Sequence, residues 1–357
     1  VAEYIYDIVD PVELTGYVRT ATEDAFPFAD LLPILPTTDI EYELTQLDHR
    51  GGPVARYRGW DVPAQLGRRP GVSTITGEIP PLSLAYDLRE KEINQVNALR
   101  TGLGDRYDQR VVDKILDDAV NAALGVMNRL SWACAELLTT AQVTLTDATP
   151  GVSAGNAVKA KFATPPAQLA VAPLGALWSN HSTSVPLDDL LAWETAFADN
   201  NGGLPPDAWI MSKKTRSHLA QNTQVRAQML SAPAGYVATP NDLSAVMDQY
   251  GISGRLVVSD IRLPLMTDDT ASGRAIPENY VIAVRSAALG NTLMAPSSNA
   301  TTLAAGAPAR SVLASQPGIT AFQVADVNPA KITTVADAVA LPVLRDPNAL
   351  FVAIPHA

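Results

Sequence analysis

The sequence predicts an α+β fold, and three observations carry the prediction. From Asp105 to Thr140 there is no proline and one glycine, Gly125, while Val112, Leu116, Val120, Leu124, Met127, Leu130, Cys134 and Leu138 recur at steps of three and four. That is the stripe of a single long helix. From Ser184 to Val284 helix-like and strand-like stretches alternate, as in an α/β unit of ~110–140 residues. The last stretch, KITTVADAVALPVLRDPNALFVAI, returns to strand-like alternation and apolar runs, and is expected to pair with strands laid down before residue 180.

Composition sets the limits within which these elements act. At 357 residues, 47% hydrophobic and 18% charged, the chain is neither disordered nor fibrous. Its length suggests about two or three folded units. No apolar run approaches the ~18 residues of a membrane span, and VAEYIYDIVDPVELTGYVRT lacks the basic start and apolar centre of a signal peptide, so no membrane partner is expected and the cytoplasm is the expected compartment. Cys134 is the lone cysteine, which excludes an intramolecular disulfide.

Charge is distributed unevenly along a chain of net charge −11. Residues 1–48 hold eleven acids against Arg19 alone, a net of −10, whereas HRGGPVARYRGWDVPAQLGRRPG (49–71) holds Arg50, Arg56, Arg58, Arg68 and Arg69 against Asp61. A basic, Gly/Pro-rich excursion after an acidic segment is either a nucleic-acid arm or one of two complementary surfaces of an assembly. Trp60 inside it is either an interface pin or a side chain folded locally; a Gly/Pro-rich arm has little core in which to bury an indole, which favours the interface.

The remaining elements follow in order. Leu88–Arg100 reads as a helix stopped by Thr101-Gly102-Leu103-Gly104, and Asp105–Thr140 as a helix roughly 50 Å long at about 1.5 Å per residue. Residues 143–178 read as strands and loops (VTLTD, AVKAKF, QLAVA). Ser184-Val-Pro-Leu-Asp-Asp opens a helix with a capping candidate, an early proline and first-turn acids, and Asn201-Gly202-Gly203 closes it. AWIMS is a strand ending in a Ser cap, KKTRSHLAQ a helix, and Thr239-Pro240-Asn241-Asp242 the start of a helix that Gly251 stops. RLVVSD and YVIAV are strands. Ala287–Pro317, rich in Ala, Ser, Thr, Gly and Pro, reads as a long surface loop or irregular strands.

A search for chemistry returns little. There is no Gly-x-Ser-x-Gly elbow and no Walker-type loop, and Gly102-Leu-Gly104 lacks the third glycine of a dinucleotide site. His49, His181, His218 and His356 sit in no local metal or catalytic pattern; His218 is expected at the surface. Cys134 lies on the helix stripe and is expected to pack rather than react. Asp113, Asp117 and Asp118 read as metal ligands or, more in keeping with a helix's outer face, as solvated or paired acids. No cofactor or metal and no enzymatic activity are expected.

The order of parts resembles the major capsid protein of tailed bacteriophages: an acidic leading arm, a Gly/Pro/Arg-rich excursion, a very long helix, an inserted α/β unit and returning strands. PVARYRGWDVPAQLGRRPG followed by GEIPPLSLAYDLREKEIN, and the ending KITTVADAVALPVLRDPNALFVAIPHA, are similar to the lambda-like capsid protein E branch. The resemblance implies a Hong Kong 97-like fold with an N-terminal arm (1–44), an extended loop (45–87), a peripheral domain with a long spine helix (88–180 and 326–357) and an axial domain (181–325). It also implies a structural protein that self-assembles as pentamers and hexamers into the icosahedral shell around the phage genome, built in the host bacterial cytoplasm. Its partners would be copies of itself, scaffold, portal and decoration proteins, and packaged double-stranded DNA met without sequence specificity. In such an arrangement Arg50, Arg56, Arg58, Trp60, Arg68 and Arg69 reach a neighbour, whose arm acids and Asp113, Asp117 and Asp118 are the candidate partners. Some members of this fold lock subunits through a loop lysine; here the first lysine is Lys91, past the loop. An encapsulin-like shell around enzyme cargo is the alternative, and the acidic arm argues against it. An unrecognised enzyme is the third class.

Overall fold

The computed structural model describes residues 11–47, 57, 60, 72–93, 105–145, 159–229, 238–265, 268–306 and 317–356. Helix α1 (Pro11–Ala21) has Glu13 in its first turn and Arg19 in its last, the order that suits the helix dipole, and buries Leu14, Thr15 and Val18. Strand β1 (Ile34–Pro36) follows, then β2 (Glu41–Leu47) and β3 (Val72–Glu78), which flank the 48–71 segment, and β4 (Pro81–Arg89). The helix expected over Leu88–Arg100 starts late, because Leu88 and Arg89 complete β4 opposite Ile332 and Lys331. Helical backbone is described there only for residues 90–93. Pairing and the burial of Leu88 against the sheet override the local helical pattern.

Helix α2 (Asp105–Thr140) runs for 36 residues without interruption, as its stripe predicts. It ends at Ala141, whose φ of 54° is left-handed, so the chain reverses and β5 (Gln142–Thr144) pairs with β6 (Lys159–Lys161). Of QLAVA, Gln168 ends a 3-10 turn and Val171 makes a single bridge to Ala353, not a strand. Helix α3 (Pro186–Asn200) begins with Pro186, Asp188 and Asp189, but Ser184 does not cap it; the cap position is Val185, and the Ser184 hydroxyl donates to the Asn180 carbonyl at 2.7 Å. Strand β7 (Ala208–Met211) runs into Ser212, whose hydroxyl accepts from the Thr215 N–H and caps α4 (Lys213–Gln221). Asn222 caps α5 (Thr223–Gln228). A Thr239/Asp242 capping box opens α6 (Pro240–Tyr250), and Gly251 at φ 82° closes it, a conformation that favours glycine.

Strands β8 (Arg255–Val258), β9 (Arg262–Leu265), β10 (Asp268–Arg274) and β11 (Val281–Val284) follow. The surface loop expected from Ala287 to Pro317 is overturned over residues 287–306. That stretch holds most of α7 (Ser286–Leu289), all of β12 (Gly290–Ala295) and α8 (Ser298–Gly306), with β12 inside the main sheet. Its small residues answer to tight packing. A Cβ at Gly290 would meet the Val343 carbonyl at 2.1 Å, and the buried Thr292 hydroxyl donates to the Leu32 carbonyl at 3.0 Å. The chain ends in β13 (Thr320–Val327), β14 (Ala330–Leu344) and β15 (Leu350–Ala353).

Strand β14 is the axis of a five-stranded sheet. It pairs with β4 along one edge and with β13 and then β12 along the other, and β1 joins β12 in parallel. The pairing of β14 with β4 fits the expected return to early strands. Strand β15 departs from it, joining β11 of the inserted region in a four-stranded sheet ordered β15-β11-β7-β8. Helix α2 lies on the larger sheet: Ala122, Ala123, Leu130, Leu137 and Leu138 share one core with Ala336, Ala338, Ala340 and Val343. Alanines on both sides let helix and sheet approach closely; a Cβ at Gly125 would meet Leu84 Cδ2 at 2.3 Å.

The four-stranded sheet is a wall between two cores. Ile210, Ile282, Val284, Leu350 and Val352 face the α2 core, while Trp209, Met211, Val281, Ala283, Phe351 and Ala353 face a second core with Trp178, Leu187, Leu190, Trp193 and Phe197. Burial on both faces is why AWIM, VIAV and LFVA are uninterrupted apolar runs without alternation.

Candidate functional site

The feature that singles out this chain's surface is the β2–β3 ribbon. The two strands pair in register from Glu41↔Glu78 to Leu47↔Val72, and Ile79 N–H donates to the Ile40 carbonyl at 2.8 Å below them. At ~3.3 Å per residue seven pairs put the far end of the ribbon, at Leu47 and Val72, about 20 Å from its foot. Tyr42 lies opposite Gly77, where a Cβ would fall 2.5 Å from the Tyr42 Oη; only glycine leaves room for that ring. Burial against the ribbon raises the Tyr42 pKa above its usual value.

The foot is acidic. Asp39, Glu41, Glu43 and Glu78, with Ile40, Tyr42, Thr76 and Gly77, line an open concavity of about 680 Å³. Ile40 is more than half exposed there. Farther along the excursion, Trp60 is 97% exposed and Tyr57 is fully exposed. Two large aromatic rings therefore bury almost nothing in their own chain. Arg50, Arg56, Arg58, Arg68 and Arg69 lie outside the described residues, as does His49. Of the acids on α2, Asp117 is exposed and Asp118 half-buried; Asp113 is on the same helix one turn before Asp117, with its side chain outside the described residues.

The leading segment packs on its own subunit. Leu14, Val18, Phe26, Phe28 and Leu32 belong to the α2 core. The Thr15 hydroxyl donates to the Ala321 carbonyl at 3.1 Å and accepts from its N–H at 3.0 Å, while Arg19 Nε donates to the Ile319 carbonyl at 2.9 Å. Together these bonds cover the outer edge of β13 and satisfy backbone groups that an open edge leaves bare.

Cys134 is fully buried, as the stripe predicts, and burial pushes its thiol up to about 12 despite the Thr292 hydroxyl 3.8 Å away. His218 departs from its expected surface position: it is half-buried between His181 and His356. Three histidines far apart in sequence thus meet in space, a grouping that no local motif announces. Among the described residues no group of three or more His, Cys, Asp or Glu side chains is placed to hold a metal ion, and no helix is long and apolar enough to cross a membrane.

The comparisons with known proteins agree with this anatomy. The family model described as phage major capsid protein E matches residues 35–354. No curated protein matches the chain. Among solved structures, a prophage protein of Escherichia coli CFT073 assigned as a capsid protein is similar with a TM-score of 0.61 at 12% identity, covering 98% of this chain and 99% of that one. A phage-related protein from Bordetella bronchiseptica RB50 is similar with a TM-score of 0.50 at 16% identity, covering 97% of each chain. Likeness at such low identity speaks for the fold, and it supports the Hong Kong 97-like architecture of long helix, ribbon and two sheets. The family match speaks for the role, which is structural, and the compartment-shell alternative is not favoured. With its model matched over residues 35–354, the chain belongs to the phage major capsid protein E family, and its role is that of a structural protein of the virion capsid.

Proposed function

We propose that the subunit assembles as pentamers and hexamers in which the 48–71 segment, carried by the ribbon, crosses to a neighbouring copy. The axial domain (181–325), which holds β7, β8 and β11 of the four-stranded sheet, then gathers near the rotation axes. The peripheral domain (88–180 and 326–357), the extended loop (45–87) and the arm (1–44) make the outer contacts. The observation that carries the reading is Trp60, whose indole is 97% exposed in the subunit. Burying ~200 Å² of indole at ~25 cal/mol per Å² contributes about 5 kcal/mol before ordering costs, whereas each exposed ion pair contributes ~0–1 kcal/mol. Trp60, Val62 and Leu66 therefore supply affinity. Arg50, Arg56, Arg58, Arg68 and Arg69 set register against a neighbour's carboxylates, for which Asp113, Asp117, Asp118 and the foot acids Asp39, Glu41, Glu43 and Glu78 are the candidates.

On the same reading assembly takes place in the host cytoplasm, with scaffold, portal and decoration proteins as partners and with double-stranded DNA inside, held without sequence specificity. The test is a pair of variants, Trp60→Ala and Arg68→Glu/Arg69→Glu. Circular dichroism and melting of the isolated subunit are expected to stay within about 0.5 kcal/mol of the parent, since exposed positions carry little stability. Particle yield is expected to collapse. Normal particles from both variants, counted by electron microscopy, overturn the proposal; so does loss of the subunit fold, because it places the residues in the core.

A further inference from the structure

Three of the four histidines converge on α4 from distant parts of the chain. His218 is on α4, His181 in the turn before α3, and His356 three residues after β15. His181 Nε2 and His218 Nδ1 are 2.9 Å apart, and the rings of His218 and His356 meet edge to face at 5.0 Å. His356 is 1% exposed and its Nε2 is 2.9 Å from the Thr215 Oγ1.

The proton inventory of this cluster is constrained by its partners. Thr215 has one hydroxyl proton, and the Glu278 carbonyl takes it. The Thr215 oxygen is then able to accept from Nε2 of His356, and the Ser212 hydroxyl donates to the same Glu278 carbonyl at 2.7 Å. Between His181 and His218 one nitrogen donates and the other accepts, so their shared edge holds one proton and not two. A second proton there leaves two N–H groups facing each other. We propose that the His181–His218 pair, with His356 packed edge to face on it, forms a proton-sensitive latch: with one proton on the shared edge it ties residues 354–356 and the turn at 179–183 to α4, and a second proton at His218 opens it.

The other charged groups facing the cluster do not offset this. Lys214, on α4, adds positive charge near His218. Its ammonium pairs with Glu278 at 3.1 Å, and that carboxylate also takes Arg274 Nη2 at 2.7 Å; Arg274 in turn pairs with Asp260. Glu278 is thus engaged by two cations. Burial first, and then His356, His181 and Lys214, hold the His218 pKa below its usual value. A depressed histidine pKa means that the open form binds protons more readily than the closed one. The closed latch is therefore fully populated above pH ~6.5 and is lost as pH falls below it.

What the latch secures is specific. The Ile354 N–H donates to the Val171 carbonyl at 2.8 Å and the Trp178 N–H to the Pro355 carbonyl at 2.9 Å. These amides report whether residues 354–356 are docked. The experiment is hydrogen exchange of the full chain at pH 7.5 and 5.5, corrected for intrinsic rates, on the parent and on His218→Asn/His356→Gln. Asparagine keeps a polar atom where Nδ1 of His218 stood, and glutamine keeps a donor where Nε2 of His356 stood, but neither titrates.

In the parent, peptides covering 171–184 and 350–356 are expected to lose protection by up to roughly tenfold, the factor for the one imidazole, His218, that the closed form keeps neutral. Protection across β13 and β14 should hold. The double variant is expected to lose less than about threefold in the same peptides. Equal loss in parent and variant, an equal loss across β13 and β14, or no loss in the parent overturns the proposal. Should the variant not fold, imidazole titration of the parent by proton NMR decides: a His218 midpoint below ~6.5 supports the latch, and a His218 midpoint at or above ~6.5 overturns it. Every readout concerns the subunit, so failure here leaves the shell-forming role untouched.

Discussion

Replacing Asp189 tests how the second core is held together. Its side chain is fully buried on α3, Oδ1 accepts the Leu174 N–H at 2.7 Å, and Oδ2 accepts the Trp178 indole N–H at 2.8 Å. Trp178 is itself fully buried and stacks on Trp193 with ring centroids 5.6 Å apart. Burial raises the Asp189 pKa, an effect the bonds from Trp178 and Leu174 oppose and the neighbouring Asp188 reinforces. Asp189→Ala strands the buried indole N–H of Trp178 and the part-buried N–H of Leu174 at ~1–3 kcal/mol each, with Leu174 at the low end, so about 2–4 kcal/mol should be lost. Asp189→Asn keeps the shape and one acceptor but turns an NH₂ toward the other donor, and about 2 kcal/mol should go. Against a total of ~5–15 kcal/mol both are large. Urea unfolding of the isolated subunit, followed by far-UV circular dichroism, should show the midpoint falling in the order parent, Asn, Ala with an unchanged slope. An Asn variant within about 0.5 kcal/mol of the parent refutes the reasoning, because it would mean that the carboxylate's two bonds offset no more than its own desolvation.

Three further outcomes follow, the first two from buried groups near the larger sheet. Thr15→Val preserves shape but leaves both the N–H and the carbonyl of Ala321 without their partner, so a loss of about 2–4 kcal/mol is expected in the same assay; a loss below 0.5 kcal/mol would show that α1 does not hold the β13 edge. Cys134, buried with its thiol pushed up to about 12, should react with thiol reagents only after denaturation, and with Lys91 the first lysine the mature shell should run as a single monomer band on denaturing electrophoresis with or without reductant. A ladder of covalent oligomers contradicts that expectation.

Much of this molecule is local and was therefore readable in one dimension. The α2 stripe, the capping box at Thr239 and Asp242, the Ser212 cap and the stop at Gly251 are set by side chains within a few residues of the backbone they satisfy. The charge reversal at residue 48 needs no fold to be seen, and the ribbon places its acidic side at the foot. Pairing partners are a different matter. GNTLMA lies inside the sheet because Val343 and Leu32 surround it, and nothing in its own small residues distinguishes a tight fit from a loop. Leu88 belongs to a strand because residue 332 is across from it, and LFVA joins the inserted region because both of its faces find a core there. The histidine cluster is the extreme case: its members are separated by up to 175 residues, and only the meeting of α4, the turn before α3 and the segment after β15 gives them one another as neighbours. Local hydrogen bonds and helical periodicity are properties of a sequence window, whereas burial of one segment by another depends on where the whole chain has gone.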